Sequence, residues 1–459
     1  MLVAHYTKEV SKIKLSTYNL WVEQEGSIII LNTLSGGFVK LFDEYGLIGC
    51  VLRNEAEWSS LSSSILSLLV AKNIIIQEDE DEEQVLNDLF KRTVNNPEML
   101  NLILMPTEKC NFNCIYCYEH HSKSFFSIEM KKNLIRFIET RLNGVKSLNI
   151  DWFGGEPTIA VDIIESITEE VKKLCKQYKV RFVASMTTNG YLLDIHLLKR
   201  LKKMNIYSYQ ITIDGFKETH DKQRMLISGA KTWERIFQNL LAIKNNYKSG
   251  LLEISIRINL SRTIYCTYEK FIDFLSDQFG DDKRFSFLIK LVADYGNIEN
   301  SIRKIFCTHE EYMEVLLYSL KKGLRNASII NSISPGGMLC YAFKSNSYLI
   351  QPNGVVSKCT LNLYSSFNKL GDLQSGVFDI ENTFNTAIIK KNKKCQECIK
   401  YPICLKADCN MMTKGEMECD PDMANLHQIL PFICNSSYNC ETNSGKFVEE
   451  SFLHERIVL

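Results

Sequence analysis

The chain has 459 residues, 45% of them hydrophobic, and a formal net charge of zero from 54 Lys+Arg and 54 Asp+Glu. That composition supports cores for about three domains and excludes wholesale disorder, and the balanced charge leaves no global basic field to attract a nucleic-acid backbone. The start, Met1 to Glu9, lacks a basic region followed by an apolar stretch, and no run approaches the roughly eighteen apolar residues of a membrane span. A soluble cytoplasmic protein is therefore expected, with neither nucleic acid nor membrane as a partner.

The first 77 residues alternate in short β-like runs. Tyr18–Glu23, Ser27–Asn32 and Phe38–Phe42 are separated by turns at Gly26 and Gly36-Gly37, and a helix is expected over Trp58–Lys72 and a strand over Ile74–Ile76. The acidic run Glu78–Glu83 reads as a solvated connector and Val85–Val94 as a bridging helix. From about 98 to 330, strands and helices alternate. The strands are Leu100–Met105, Leu148–Phe153, Val180–Met186, Tyr207–Ile213, Leu252–Asn259 and Phe285–Val292. Between and after them come helices Ile128–Leu142, Val161–Tyr178, Ile195–Met204, Thr232–Asn246, Tyr268–Gln278 and His309–Lys322. Such alternation implies parallel βαβ units; eight would close a barrel, and six predict an open, partial one. Beyond 330 the helical period fades and cysteines, Lys, Asn and Gly take over, which predicts a small metal-stapled domain. The expected division is 1–97, 98–330, 331–430 and a tail, 431–459.

Sixteen cysteines in a cytosolic chain point to metal or redox chemistry; three fall between 110 and 117 and seven between 340 and 419. Cys110, Cys114 and Cys117 stand in Pro106-Thr-Glu-Lys-Cys-Asn-Phe-Asn-Cys-Ile-Tyr-Cys-Tyr118. Three thiolates hold three corners of a [4Fe–4S] cluster and leave one iron open. Zinc, closed by His120 or His121, is the alternative. Phe153-Gly154-Gly155-Glu156-Pro157 follows the second strand, where paired glycines permit close backbone approach or simply a tight turn. Thr187-Thr188-Asn189-Gly190 follows the third strand. Thr212-Ile-Asp214-Gly215, with His220-Asp221 and Arg224, follows the fourth.

The cysteine spacing, with Tyr116 before its last cysteine and Gly-Gly-Glu-Pro one unit downstream, resembles the radical S-adenosylmethionine (SAM) enzymes. The resemblance implies a partial (βα)6 barrel in which the open iron chelates the amino and carboxylate groups of SAM. It also implies that Gly154, Gly155, Glu156 and Pro157 meet the amino end of SAM, and that Thr188 and Asn189 contact its ribose. The stretch from Thr212 and Asp214 to Arg224 resembles the S-x-D-G…H-D-x-x-R segment of the peptide-modifying branch, with threonine for serine. There Arg224 would pair with the methionyl carboxylate through two hydrogen bonds, or else be a surface arginine. Tyr116 would pack beside adenine, or be an ordinary core aromatic. Arg257 and Asn259 point toward the same mouth.

The second cysteine group reads Cys340-x13-Gly354-x4-Cys359, then Cys395-x2-Cys398-x5-Cys404-x4-Cys409, with Cys419 trailing. It resembles the seven-cysteine SPASM domain, although the usual third gap is three residues rather than four. The resemblance assigns Cys340, Cys359 and Cys409 to one auxiliary [4Fe–4S] cluster, with an iron open to a substrate thiolate. Cys395, Cys398, Cys404 and Cys419 would hold a second, closed cluster. A zinc ribbon of Cys395, Cys398, Cys404 and Cys409 is the alternative. Cys434 and Cys440 are expected to be free thiols, with a labile disulfide or a replacement cluster ligand as the alternatives, and Cys50, Cys175, Cys266 and Cys307 small hydrophobes in cores or on helix faces. The lysines at 390, 391, 393 and 394 read as a solvated loop.

The expected fold class is thus α/β: a partial (βα)6 barrel, a small α+β winged-helix-like domain before it, and a Cys-rich domain after it. The front segment resembles a RiPP recognition element, whose exposed strand edge takes a leader peptide as an extra strand. It equally fits a plain cap on the barrel. Sulfatase-maturing enzymes typically lack such a preface, and they place an aspartate after the second SPASM cysteine, where this chain has Thr360. The expected activity is that of a radical SAM maturase with three [4Fe–4S] clusters, fed by flavodoxin or ferredoxin. It would form an intramolecular thioether in a ribosomal precursor peptide, as in sactipeptides or ranthipeptides. Carbon–carbon crosslinking, decarboxylation, sulfatase maturation or a non-enzymatic zinc or peptide-binding scaffold are the alternatives.

Overall fold

The computed structural model describes residues 13–24, 26–43, 45–122, 124–248, 250–294, 302–376, 395, 397–405, 419–435 and 441–442. The chain divides into two compact units, one of residues 1–94, 328–340 and 388–459, the other of residues 95–327 and 341–387.

The first unit begins with β1 (Ile13–Leu15), β2 (Asn19–Gln24), β3 (Ser27–Asn32), β4 (Phe38–Phe42) and β5 (Ile75–Gln77). β2, β3 and β4 form the expected antiparallel meander, while β1 pairs separately with β5. Alternation along β3 and β4 sends Ile28, Ile30, Val39 and Leu41 into one core with Val51, Leu69 and Ile74. The single helix expected over Trp58–Lys72 is two pieces. A short turn at Trp58–Ser60 ends in extended Leu61, and a new helix, Ser63–Ala71, starts under the Ser62 hydroxyl, which accepts from Ile65 N at 3.3 Å. A further helix, Leu47–Leu52, was not anticipated.

In the second unit, β6 (Met99–Leu104) leads into the cysteine loop, which holds the short β7 (Phe112–Cys114). β8 (Ser147–Trp152), β9 (Arg181–Thr188) and β10 (Ile206–Thr212) continue the βα series. β11 (Arg224–Leu226) pairs with β7, outside the main sheet; β12 (Glu253–Leu260) and β13 (Phe285–Leu291) complete that sheet. The order β6-β8-β9-β10-β12-β13 is parallel throughout, as the βα repeat required. The intervening helices present apolar stripes. In Val161–Tyr178 the buried set Ile164, Ile167, Val171 and Leu174 recurs every three or four residues, and left-handed Lys179 (φ 57°) ends the helix.

The sheet extends past its expected edge. β14 (Ser347–Ile350) lies parallel to β6, and β15 (Val355–Ser357) and β16 (Lys369–Asp372) follow antiparallel, giving nine strands. Gly354 turns the β14–β15 hairpin at φ 88°, and a Cβ there would meet Met130 Sδ at 2.7 Å. Met130 belongs to the helix Ile128–Glu139.

The C-terminal part of the first unit contributes helix Leu426–Asn435 and β17 (Glu441–Thr442). β17 runs parallel to β4, pairing Glu441 with Val39 and Thr442 with Lys40. The meander edge at β4, expected to be exposed, is therefore taken there by the chain itself, and β2 is the other outer strand. Cys434 is disulfide-bonded, the alternative to the free thiol expected. It sits 8% exposed in the last turn of its helix. Cys175 is buried and Cys50 and Cys307 half-buried, but Cys266 is exposed, because it ends the short surface helix Arg262–Tyr265. Cys409, Cys440 and the lysines at 390–394 lie outside the described residues.

Candidate active site

The site is built on loops leaving the carboxyl ends of the parallel strands, where backbone is free to carry chemistry. After β6 the chain turns through Pro106 into β7, which pairs antiparallel with β11 and sets Cys114 opposite Arg224. Ile115 N donates to Gln223 O at 3.0 Å and Ile227 N to Asn111 O at 2.9 Å, so this pairing fixes the cysteine loop at both ends. Sequence reasoning missed β7 and β11, because each is only three residues long. Cys110 is 6% exposed, with Phe112 N donating to its sulfur at 3.4 Å; Cys114 and Cys117 are half-buried. Burial raises all three thiols. Arg224 opposes the shift at Cys114, while burial and then Glu119 push Cys117 up to about 12. Glu119 itself is pushed up to about 8 by burial and the nearby Glu108 and Glu156.

The Gly-Gly-Glu-Pro turn after β8 lies against this loop. A Cβ on Gly154 (φ 99°) would meet Thr107 O at 2.6 Å, and one on Gly155 would meet Glu108 O at 2.3 Å and Lys109 O at 2.5 Å. Glu156 N donates to Lys109 O at 2.9 Å. The glycines are therefore required for loop-on-loop contact, beyond a simple turn. The Glu156 carboxylate is fully committed: Oε1 accepts from Thr158 N (3.0 Å), Thr158 Oγ1 (2.5 Å) and Thr188 Oγ1 (2.6 Å), and Oε2 accepts from Asn189 N (2.7 Å). Burial raises its pKa and these donors pull it back. Asn189 in turn donates to Asn111 Oδ1 at 2.7 Å, joining the third loop to the first. Pro157 opens a short 3-10 turn, where its missing N–H costs nothing.

At the end of β10 the structure brings Tyr116, Asp214, Arg224 and Asn259 together. The Tyr116 hydroxyl donates to the Asp214 carboxylate and accepts from Arg224 Nη1 at 2.9 Å and Asn259 Nδ2 at 3.1 Å. Asn259 N donates to Asp214 Oδ1 at 2.8 Å, and Arg257 Nε to Asn259 Oδ1 at 2.8 Å. The phenol hydroxyl is thus the hub of a buried polar network. Arg224 is 7% exposed rather than on the surface, and its Nε has no partner. Thr212, also 7% exposed, stands opposite Arg257 in the sheet.

The neighbouring His220 and Asp221 support the network. Asp214 N donates to His220 Nδ1 at 3.1 Å, so the imidazole carries its proton on Nε2; burial and Arg224 hold its pKa well below the usual value. Asp221 Oδ1 accepts from Thr232 N and Trp233 N, both at 2.9 Å, at the start of helix Trp233–Asn246. His120 stacks on Tyr364 at 3.8 Å, and among the described residues no three His, Cys, Asp or Glu side chains stand close enough to share one metal ion.

The later cysteines divide between the units. Cys340, Cys395, Cys398, Cys404 and Cys419 lie in the first and Cys359 in the second. Cys395, Cys398 and Cys404 are half-buried and joined by local bonds: Cys398 N to Cys395 O at 3.3 Å, Tyr401 N to Cys398 O at 2.9 Å. Cys359 is 7% exposed in a loop tied down by Asn368, which accepts from Cys359 N and donates to Cys359 O, both at 2.8 Å. The Tyr341 hydroxyl accepts from Thr360 N at 2.9 Å.

Residues 104–260 match the family model of the Radical SAM superfamily. The chain is 24% identical over 332 residues to a cysteine-type anaerobic sulfatase-maturating enzyme of Clostridium novyi, covering 66% of this chain and 86% of that one. It is 24% identical over 426 residues to the radical SAM cyclopropyl synthase TigE of Paramaledivibacter caminithermalis, covering 81% and 84%. In three dimensions it resembles native anSMEcpe solved with bound AdoMet and the Cp18Cys peptide. The TM-score is 0.58 at 19% identity, over 73% of this chain and 97% of that one. The chain carries a radical SAM domain and is an enzyme of that superfamily. The superfamily implies a [4Fe–4S] cluster and SAM. The residues present fit that pair: three soft sulfur donors on one loop, and beside Cys114 a buried arginine with an unspent N–H. No described helix is long and apolar enough to cross a membrane.

Proposed function

We propose that this enzyme matures a ribosomally made peptide by joining a cysteine sulfur to a carbon of the same chain. The observation that carries the reading is the cysteine loop clamped between the Gly-Gly-Glu-Pro turn and β11, in a chain that also has the Cys340–Cys419 series. Cys110, Cys114 and Cys117 would hold the SAM-binding cluster, with Arg224 on the methionyl carboxylate and Thr188 and Asn189 at the ribose. Cys340, Cys359 and Cys409 would hold one auxiliary cluster, and Cys395, Cys398, Cys404 and Cys419 another, within the expected divisions 1–97, 98–330 and 331–430. When bound, the first cluster and SAM would supply a 5′-deoxyadenosyl radical that takes a hydrogen atom from a peptide carbon; as the sulfur–carbon bond closes, the cysteine would lose its thiol proton and an auxiliary cluster would take the remaining electron.

The chain's own residues hold this machinery still. Glu156 locks the second and third loops, and the Tyr116 hydroxyl aligns Asp214, Arg224 and Asn259, so the positioning that restrains a free radical is built in beforehand. A peptide partner is supported by the Cp18Cys peptide bound to the structural neighbour and by the maturing activity named for the Clostridium novyi relative. The N-terminal meander would take the leader peptide at β2, since β4 is paired with β17. Sulfatase maturation is the second reading, favoured by that same relative; Thr360, held by Tyr341 where that activity would want a carboxylate, weighs against it.

The test is anaerobic reconstitution, followed by co-expression with any short peptide encoded beside the enzyme. Formation of 5′-deoxyadenosine and loss of two hydrogens per crosslink are expected. A modified peptide lacking cysteine would overturn the thioether, and conversion of a sulfatase-type cysteine to an aldehyde would establish the second reading instead.

A further inference from the structure

Parallel-barrel interiors are normally filled by branched apolar side chains. Here they are not. Along β8, Leu148, Ile150 and Trp152 are fully buried on one face, and alternation puts Ser147, Asn149 and Asp151 on the other. At the start of the strand that inner face is closed by a polar floor, where Asn149 donates to Asn101 at 3.0 Å and Ser147 donates to Asn149 at 3.2 Å. One step further along, the interior opens. Asp151 is exposed to solvent although walls of the sheet surround it, and register sets it between Ile103 and Ser185. The Ser185 hydroxyl donates to Asp151 Oδ1; Oδ2 has no protein donor, and no basic side chain among the described residues pairs with this carboxylate. Register extends the same layer to Ser208, and the next layer contains Thr187, Gln210 and Ser255. None of these four side chains makes a hydrogen bond among the described residues, and all are half-buried. Apolar walls stand beside them: Met105, Phe153, Tyr118 and Tyr341 pack in one cluster with Ile103.

We propose that this opening is a substrate subsite in which Asp151 binds a cationic nitrogen, the ammonium or guanidinium of a Lys or Arg side chain of the substrate. Asp151 is open to solvent yet lined by protein, and those surroundings raise its pKa, with only Ser185 opposing. An incoming ammonium or guanidinium supplies the missing charge and hydrogen bonds to Oδ2. Its aliphatic stem lies along the apolar wall, and the unspent hydroxyls and amide of Thr187, Ser208 and Gln210 meet the adjoining backbone. The inference rests on the maturase reading for the identity of the substrate, but not for the binding itself.

The test measures binding of N-acetyl methylamides of lysine, arginine, glutamine and leucine to the full chain by saturation-transfer NMR with titration. The lysine and arginine probes are expected to bind about tenfold tighter than the other two. Asp151→Asn should erase that preference, and Asp151→Glu should retain it. Equal binding of all four probes, no binding of any, or a preference that survives Asp151→Asn overturns the proposal. A wild-type protein that shows the preference but makes no 5′-deoxyadenosine would refute the maturase reading while leaving this subsite in place.

Discussion

Gly155 is the position at which the candidate site should be least tolerant of a single methyl group. A Cβ there would sit 2.3 Å from Glu108 O, 2.5 Å from Lys109 O and 2.6 Å from Lys109 C. All three atoms are backbone, so no flexible side chain can swing aside; the two loops must separate. Overpacking costs about 1–3 kcal/mol in ordinary cores, and contacts this short with main chain put Gly155→Ala at about 3 kcal/mol. A unit of this size then loses about 6 °C or more in its thermal midpoint. Gly144 supplies the contrast: its φ is 80° but nothing lies within 4 Å of its Cβ position, so Gly144→Ala incurs only left-handed strain of about 1 kcal/mol. The loop displaced in Gly155→Ala carries Lys109 and Cys110, so iron retained after anaerobic reconstitution should fall in that variant and stay at the parent level in Gly144→Ala. Differential scanning fluorimetry and iron quantitation decide the matter. Equal midpoint shifts in the two variants, or full iron retention by Gly155→Ala, would refute the loop-on-loop argument.

Tyr116→Phe removes the shared hydroxyl from Asp214, Arg224 and Asn259 and should lower stability by about 3 kcal/mol in urea unfolding, because the buried guanidinium and carboxylate both lose a partner; a loss below about 1 kcal/mol would contradict the hub. Asp221→Ala uncaps helix Trp233–Asn246 and should cost about 1 kcal/mol, with 5′-deoxyadenosine production at saturating SAM preserved. His220 gives the pH prediction. Its folded pKa lies below the unfolded value of 6.5, so the unfolded chain binds the extra proton first, and its contribution, complete above pH 6.5, is lost as pH falls through the folded value. The parent should therefore lose up to about 1.4 kcal/mol per pH unit below pH 6 relative to His220→Gln, whose amide oxygen can still accept from Asp214 N. Parallel stability–pH curves for the two proteins would exclude a buried neutral imidazole.

The barrel was legible because its elements repeat a simple rule. Leu148, Ile150 and Trp152 alternate with polar residues, Ile164 to Leu174 follow the helical stripe, and Ser127 and Thr308 mark helix starts. The motif cysteines and the Gly-Gly-Glu-Pro turn were legible for a related reason, since their chemistry demands fixed types at fixed spacing. What escaped was pairing between distant, very short segments. β7 and β11 are three residues each and more than 100 positions apart, so no local period betrays them, yet their register sets Arg224 against Cys114. β14 to β16 failed for the same reason: strands of three or four residues among Asn, Gly and Lys read as loop until β6 offers its edge. The break at Leu61-Ser62 escaped because Leu61, Ile65, Leu68 and Leu69 keep helical spacing straight across it.

Motif residues differ in where their bonding capacity goes. Glu156 accepts four hydrogen bonds, Asp221 caps a helix and His220 Nδ1 receives a backbone amide. Although each belongs to a motif, each therefore acts by holding loops. Arg224 keeps an N–H unspent beside Cys114, and Asp151 keeps a carboxylate oxygen unspent in the open interior. An unspent atom does not by itself mark a ligand contact, because Asp221 Oδ2 and His220 Nε2 also lack partners; Arg224 and Asp151 are set apart by place, one buried beside the cysteine loop and the other exposed in the open interior. The two groups have opposite charge: the guanidinium suits a carboxylate at the barrel mouth, and the carboxylate suits a cation deeper within. Exchanging those signs tests the division directly. Arg224→Gln should weaken SAM binding far more than binding of the lysine probe, and Asp151→Asn should do the reverse; equal losses of both ligands in either variant would show that the two unspent groups report on one collapsed site.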